Sequence, residues 1–189
     1  SSASAELAAS QHDLNTFSGF DTGDDYGMAG KFNIGGRQEV AEEWTVSAGV
    51  DYEYVHRNFA MIERFRGVEF DRDWNIRDVV IREDQHILGA GFGIDHQLGV
   101  GAKYEVKSFG AGSAFRGLQH GFGAVSQTDR IRGQFAGTYT EQQGEQIQAN
   151  YYQHNSMVTI PIWKVVLGFK DDLESNLRFE PIGDTLKSS

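Results

Sequence analysis

The chain has 189 residues, with 17 Lys+Arg against 27 Asp+Glu, a formal net charge of -10 and a pI near 5.0, so an unspecific phosphate-binding surface, and with it a nucleic-acid partner, is not expected. There is no cysteine, which excludes a disulfide framework, a thiolate metal site and a cysteine nucleophile. High glycine (23), 12% aromatic residues and only 2 prolines, without a low-complexity tract, predict one folded unit over 1–189, because the aromatic side chains need burial.

Hydrophobic period two dominates, beginning with weaker candidate strands at 2–13 and 26–37. Between them, "DTGDDYG" (21–27) offers Asp21, Asp24 and Asp25, but it lacks the spacing and terminal Glu of a calcium loop and is expected to be a turn or external loop. From 44 to 54, Trp44, Val46, Ala48, Val50, Tyr52 and Tyr54 share one face, opposite Thr45, Ser47, Gly49, Asp51 and Glu53. A long connection, 60–84, follows. Leu88, Ala90, Phe92 and Ile94 then alternate with Gly89, Gly91, Gly93 and Asp95, and Leu98, Val100, Ala102, Tyr104 and Val106 alternate with Gly99, Gly101, Lys103, Glu105 and Lys107. His96 and Gln97 form a hairpin-sized link between these runs.

Residues 113–127 and 146–160 are further weak candidates around a clear strand in which Ile131, Gly133, Phe135, Gly137 and Tyr139 face away from Arg132, Gln134, Ala136, Thr138 and Thr140. Near the end, Trp163, Val165, Leu167 and Phe169 oppose Lys164, Val166, Gly168 and Lys170, with Pro161 read as a breaker just before a strand starting at Ile162. The pattern predicts an all-β fold of roughly nine strands, an antiparallel up-and-down meander with no helix beyond two turns. Short connections (96–97, 128–129) alternate with long ones (14–25, 60–84).

Such a meander can be a soluble β-barrel, a sandwich, or a transmembrane β-barrel whose apolar face meets lipid. The polar face separates them. Glycine is wasteful on a water-exposed strand face, whereas Gly89, Gly91, Gly93, Gly99 and Gly101 beside charged residues suit a crowded polar interior. Strands of about ten residues match a tilted crossing of the hydrocarbon core. Trp44, Tyr52, Tyr54, Tyr104, Tyr139 and Trp163 resemble interfacial girdles. The expectation is a transmembrane barrel or part of one in a bacterial outer membrane, with membrane lipid as its surroundings; the alternative is a secreted or periplasmic soluble β-protein binding carbohydrate or a small apolar ligand. No run reaches the roughly 18 apolar residues of a spanning helix. The start "SSASAELAAS" and the end "FEPIGDTLKSS" suggest a segment of a longer chain, with other outer-membrane subunits or the rest of that chain as partners.

The stretch "IERFRGVEFDRDWNIRD" (62–78) gathers Glu63, Glu69, Asp71 and Asp73 with Arg64, Arg66, Arg72 and Arg77. Carboxylates in this number could serve a glycosidase pair or a calcium site, but their balance against the arginines predicts a structural ion-pair loop. Its members are Glu63, Arg64, Arg66, Glu69, Asp71, Arg72 and Asp73, anchored by Phe65, Phe70 and Trp74 on a barrel rim or in its lumen. The alternation of Val68, Phe70, Trp74 and Ile76 allows a short extended segment there. The six histidines lie singly without metal-ligand spacing, the "GAGFGIDHQLGVG" run places glycines along strands rather than at a helix start, and Ser126 and Ser156 lack an elbow motif. No catalytic, cofactor or metal residue is assigned, and no enzyme is expected. "TEQQGEQIQANYYQHN" (140–155), with Tyr151 and Tyr152, admits a sugar-binding edge or a polar hairpin.

Taken together, Glu63, Arg64, Phe65, Arg66, Val68, Glu69, Phe70, Arg72, Asp73, Trp74 and Asn75, then Trp163, Lys164, Leu167, Gly168, Lys170 and Asp171, resemble segments of large outer-membrane β-barrel proteins of Bacteroidota. That resemblance implies location and fold, and a structural, transport or export-scaffold role.

Overall fold

The computed structural model of the chain describes residues 1–11, 26–60, 66, 70–74, 76, 81–144 and 148–179. Nine strands follow one another: β1 (Ser2–Gln11), β2 (Tyr26–Ala41), β3 (Trp44–Val55), β4 (Gln85–His96), β5 (Val100–Ala111), β6 (Phe115–Gln127), β7 (Arg132–Gln143), β8 (Gln148–Ile162) and β9 (Val165–Phe179). A single helical turn, α1 (Phe70–Asp73), interrupts the β3–β4 connection. Each strand pairs antiparallel with the next in the order β1 to β9, giving one meander sheet that does not close on itself.

Side chains alternate across a strand, so one slipped residue would exchange its two faces. From β3 to β9 one row reads Ala48, Phe92, Tyr104, Phe122, Gly137, His154 and Leu173, and the adjacent row reads Ser47, Gly93, Lys103, Gly123, Ala136, Asn155 and Asp172. Face identity therefore carries across the sheet: one face apolar, the other polar. The apolar side chains stand exposed, as at Leu7 (91%), Phe92 (52%) and Phe169 (65%). The buried residues Ala29, Val55, Ile87, Phe109, Ala111, Phe115, Ala149 and Tyr151 all belong to the other face, near one end of the strands.

Connections segregate by end. Residues 42–43, 97–99, 128–131 and 163–164 make tight turns at one end; the other end holds the long connections 12–25 and 56–84, and also the short ones 112–114 and 144–147. Long connections thus share one end without filling it. Three readings are corrected. Trp163 lies in the β8–β9 turn with φ 55, so β9 starts at Val165; Pro161 is inside β8, opposite Val166; and His96 ends β4, so that the β4–β5 turn is 97–99, with Leu98 and Gly99 (φ 79) in the turn rather than on a strand face. Because β7 runs only as far as the Arg132–Thr159 pair, the missing N–H of Pro161 can face an unpaired side.

The apolar band is oblique to the strands. On β2 the outward residues Met28, Phe32 and Ile34 lie toward the long-connection end, with Gly36 and Gln38 beyond them and Val40 at the turn. On β8 the order reverses: Gln148, Asn150, His154 and Ser156 occupy the long-connection half, and Val158, Ile160 and Ile162 the turn half. The row through Ile34 reaches β8 at Tyr152, six positions before Val158. A drift of roughly one to two residues per strand, at about 3.4 Å per residue and about 4.8 Å per strand, sets the strands roughly 35–55° from the band's normal.

On the polar face, glycines stand directly across from large side chains that fold over them. Glu105 covers Gly121, Lys103 covers Gly123, Asp95 covers Gly101 and Asp51 covers Gly89. A Cβ on Gly121 would sit 2.7 Å from Glu105 Cγ. Gly121→Val is therefore expected to destabilise the sheet by about 1–3 kcal/mol through overpacking, measured as a lowered unfolding midpoint. Val at Phe122, which points to the open face, is the control and leaves the Glu105 contact intact.

Candidate functional site: the polar face and the segment packed on it

The β3–β4 connection returns over the polar face at the long-connection end. There Trp74 and Ile76 join Ile87, Phe109, Ala111 and Phe115 in the hydrophobic core, with Phe70 and Ile81 packed against it. Trp74 meets Phe109 edge-on at 5.4 Å and Phe115 at 6.3 Å between centroids; such pairs contribute about 0.5–1.5 kcal/mol each beyond area burial. Room for the indole comes from Gly117, whose missing Cβ would lie 2.7 Å from Trp74 Cζ3.

The polar face also holds the segment's backbone. Gln142 donates its amide to the Trp74 carbonyl at 2.6 Å, and Gln119 donates to the Asp73 carbonyl at 3.3 Å and to Thr140 Oγ1 at 3.1 Å. These bonds satisfy carbonyls at the end of α1, where a one-turn helix leaves them unpaired. The segment is therefore a helical turn at Phe70–Asp73 rather than an extended stretch: Trp74 N–H donates to the Phe70 carbonyl at 3.0 Å and Ile76 N–H to the Asp71 carbonyl at 2.8 Å.

Arg66 is the electrostatic centre. Its Nε donates to Glu53 Oε1 of β3 at 2.6 Å and Nη1 to Gln85 Oε1 of β4 at 2.5 Å. The guanidinium lies 4.2 Å over the Phe70 ring and 5.4 Å from that of Phe109. Glu53 also pairs with Lys31 of β2 at 3.3 Å. One carboxylate thus links two strands and the overlying segment in a half-dry setting, where charge-assisted bonds are strong.

Of the residues expected to form the ion-pair loop, Arg66 and Trp74 sit in this assembly, and Arg66 reaches to the sheet for a carboxylate. Arg72 and Asp73 pair at 3.6 Å on the exposed side of α1, Asp71 supplies the carbonyl above, and Glu63, Arg64 and Glu69 lie outside the described residues, as do Phe65, Val68, Asn75, Arg77 and most of the "DTGDDYG" stretch. Sequence reading missed Glu53, Gln85, Gln119 and Gln142. Only Glu53 left a signal, as a charged residue on a polar strand face.

Asp84 secures the far end of the connection. It accepts the Arg57 N–H at 3.0 Å and the Tyr54 hydroxyl at 3.3 Å, with His56 Nε2 and Arg57 Nε both 3.9 Å away. The Arg57 N–H bond first, then the His56 charge and the Tyr54 hydroxyl, hold its carboxyl below the ordinary 3.8, outweighing desolvation.

The polar face continues toward the turns as an open depression lined by Lys103, Glu105, Thr138, Gln153, Asn155 and Asp172. Among the described residues no group of three His, Asp or Glu side chains is placed to hold a metal ion. Mixed charges and amides on this surface can contact polar solutes or an overlying polypeptide.

Arg66→Ala is expected to destabilise the packed segment by about 2–3 kcal/mol, since a charge-assisted bond is lost and Gln85 loses its partner, whereas Arg72→Ala on the exposed side costs under about 1 kcal/mol. Proteolytic susceptibility of the 56–84 connection measures both. For Asp84 the folded pKa is depressed, so its contribution is complete above the ordinary carboxylate value and disappears as pH falls through the lowered folded value. The connection should become protease-sensitive on acidification below about pH 4, and Asp84→Asn should remove that pH dependence. Comparison with protein-family models, with curated proteins and with solved structures finds no match.

Proposed function

We propose that the chain is a wall of a transmembrane β-barrel, or part of one, in a bacterial outer membrane, with a structural, transport or export-scaffold role. The carrying observation is the exposure of one continuous apolar face over the sheet while the polar face bears the packed segment. A soluble barrel or sandwich buries its apolar face and leaves its polar face to water; here the apolar face stands exposed, and the buried strand side chains lie on the polar face beneath the packed segment.

Three features support the reading. The strands, 10 to 16 residues long, exceed the usual globular length and suffice for an inclined crossing. The inclination implied by the oblique band overlaps the roughly 35–45° tilt of membrane barrels. On the apolar face Tyr52 and Tyr104 bond to His86 and His120 at 2.7 and 2.6 Å, as amphipathic rings do where hydrocarbon gives way to headgroups. The Bacteroidota resemblance agrees with this assignment.

In this arrangement the polar face lines an aqueous lumen, and the 56–84 connection folds inward to narrow its long-connection end. Solute passage along this face would meet alternating Lys and Glu side chains rather than a field of one sign, so the lumen suits uncharged or zwitterionic polar cargo better than a highly charged one.

The test is the behaviour of the full-length protein. It should require detergent for extraction and show heat-modifiable gel mobility; extraction as a folded monomer in plain buffer would sink the proposal. Ala124→Arg, in the small apolar row nearer the turns, provides the residue-level check: on a lipid-facing surface it costs up to about 2–4 kcal/mol toward the midplane, while on a water-facing surface it changes stability by no more than about 0.5 kcal/mol. Unfolding of the reconstituted protein in denaturant decides between these values.

A further inference from the structure

The outward face does not stay apolar up to the long-connection end. Two consecutive rows crossing β5 to β8 read Gly110, Arg116, Gln143 and Gln148, then Ser108, Leu118, Glu141 and Asn150. These residues line an open groove of about 520 Å³. The next row toward the turns is Val106, His120, Tyr139 and Tyr152, followed by Tyr104, Phe122, Gly137 and His154, then Ala102, Ala124, Phe135 and Ser156. Passing from turns to loops, the surface changes from small and apolar, through aromatic, to amide-rich. That succession mirrors the hydrocarbon, interface and headgroup layers of a bilayer leaflet.

Within the groove the chemistry is specific. Arg116 is exposed and forms no ion pair among the described residues, leaving its planar set of donors open for a phosphate. Beside it, a Cβ built on Gly110 meets nothing within 4 Å, so space is open next to the guanidinium. Gln143, Gln148 and Asn150 each present a donor and an acceptor, the pairing that vicinal hydroxyls require. Glu141 is already held by the Tyr139 hydroxyl at 3.0 Å, and it sits one row away from Arg116, favouring a hydroxyl over a second anion at its end. Four strands by two rows measure about 14 by 7 Å, the scale of a disaccharide.

We propose that this groove binds the phosphorylated sugar headgroup of a glycolipid in the leaflet on the long-connection side, Arg116 taking the phosphate and Gln143, Gln148 and Asn150 the sugar hydroxyls, with the acyl chains lying along the apolar face below. The assignment rests on the membrane-wall reading. A lipid is chosen over a free sugar because the groove is continuous with the apolar face through Leu118 and the Tyr139 row.

The experiment titrates the full-length protein, folded in detergent micelles, with an acylated, diphosphorylated glucosamine disaccharide, and reads retained lipid by native mass spectrometry. Wild type should hold the lipid; Arg116→Ala should weaken it about tenfold and Asn150→Ala about threefold or more, Arg116→Lys should recover part of the loss, and Gly110→Trp, filling the open space, should abolish binding. The dephosphorylated lipid should bind wild type as weakly as the intact lipid binds Arg116→Ala. Unchanged affinity in Arg116→Ala and Asn150→Ala, with heat-modifiable mobility retained, overturns the site and leaves the wall reading standing. Equal binding of phosphatidylglycerol overturns sugar recognition, and equal binding of the deacylated headgroup overturns the lipid as ligand. A protein that is folded and monomeric without detergent overturns the wall reading and this site together.

Discussion

Everything in this molecule depends on the parity of its hydrogen-bonded ladder. With a side-chain period of two, a sheet keeps distinct faces only if every pairing preserves register, and here an apolar residue on one strand is matched across the sheet by outward positions on the others, from Ala48 to Leu173. The irregularity between Glu39 and Ala41 lies beside the β2–β3 turn, where it shifts only the terminal Ala41–Trp44 pair. The separation of faces is thus a property of the backbone before it is one of side chains, and the chemistry of either face follows from it.

Complementarity in size then organises the polar face. Long charged side chains cannot all stand upright on neighbouring strands about 4.8 Å apart, so Glu105, Lys103 and Asp95 lie flat over Gly121, Gly123 and Gly101. Where small residues collect at the long-connection end, at Ala29, Ala111, Gly117 and Ala149, the same device makes room for an indole and a helical turn. The segment brings apolar rings to a polar face; Gln119 and Gln142 meet its Asp73 and Trp74 carbonyls, and Glu53 and Gln85 take Arg66 Nε and Nη1, while Arg66 Nη2 and Gln142 Oε1 stay buried without a partner among the described residues. Depriving any of the paired groups of its partner would cost about 1–3 kcal/mol, which gives the docking its specificity.

Five strands were clearly legible because alternation continues over eight or more residues, long enough to outweigh local propensity, whereas 2–13, 26–37, 113–127 and 146–160 alternate more weakly. The placement of Gly89, Gly91, Gly93 and Gly101 on the polar face was visible for the same reason, although Gly36, Gly110 and Gly137 stand on the outward face. Chain turns were less so. Trp163 fits the outward alternation of Val165 and Leu167, yet it occupies a left-handed turn position that favours glycine, and nothing in periodicity reports φ. The partners of the 62–78 stretch were illegible for a different reason: Gln142 lies 68 positions from Trp74 and Gln119 lies 46 from Asp73. Balanced charge within the stretch suggested local pairing, whereas Arg66 meets Glu53 on the strand before it because the chain folds back over the sheet.

Among the described residues the meander contains nine strands, an odd number, and each runs opposite to its neighbour. Its two rims, β1 and β9, consequently point the same way. Bent round until they touched, they would meet with parallel hydrogen bonding, a seam unlike every other pairing in the sheet. Two copies inserted in the same orientation face an identical restriction where β9 of one meets β1 of the other. An all-antiparallel cylinder built on this sheet needs an odd number of strands between those rims, so the direction of the first strand to dock on β9 is already determined.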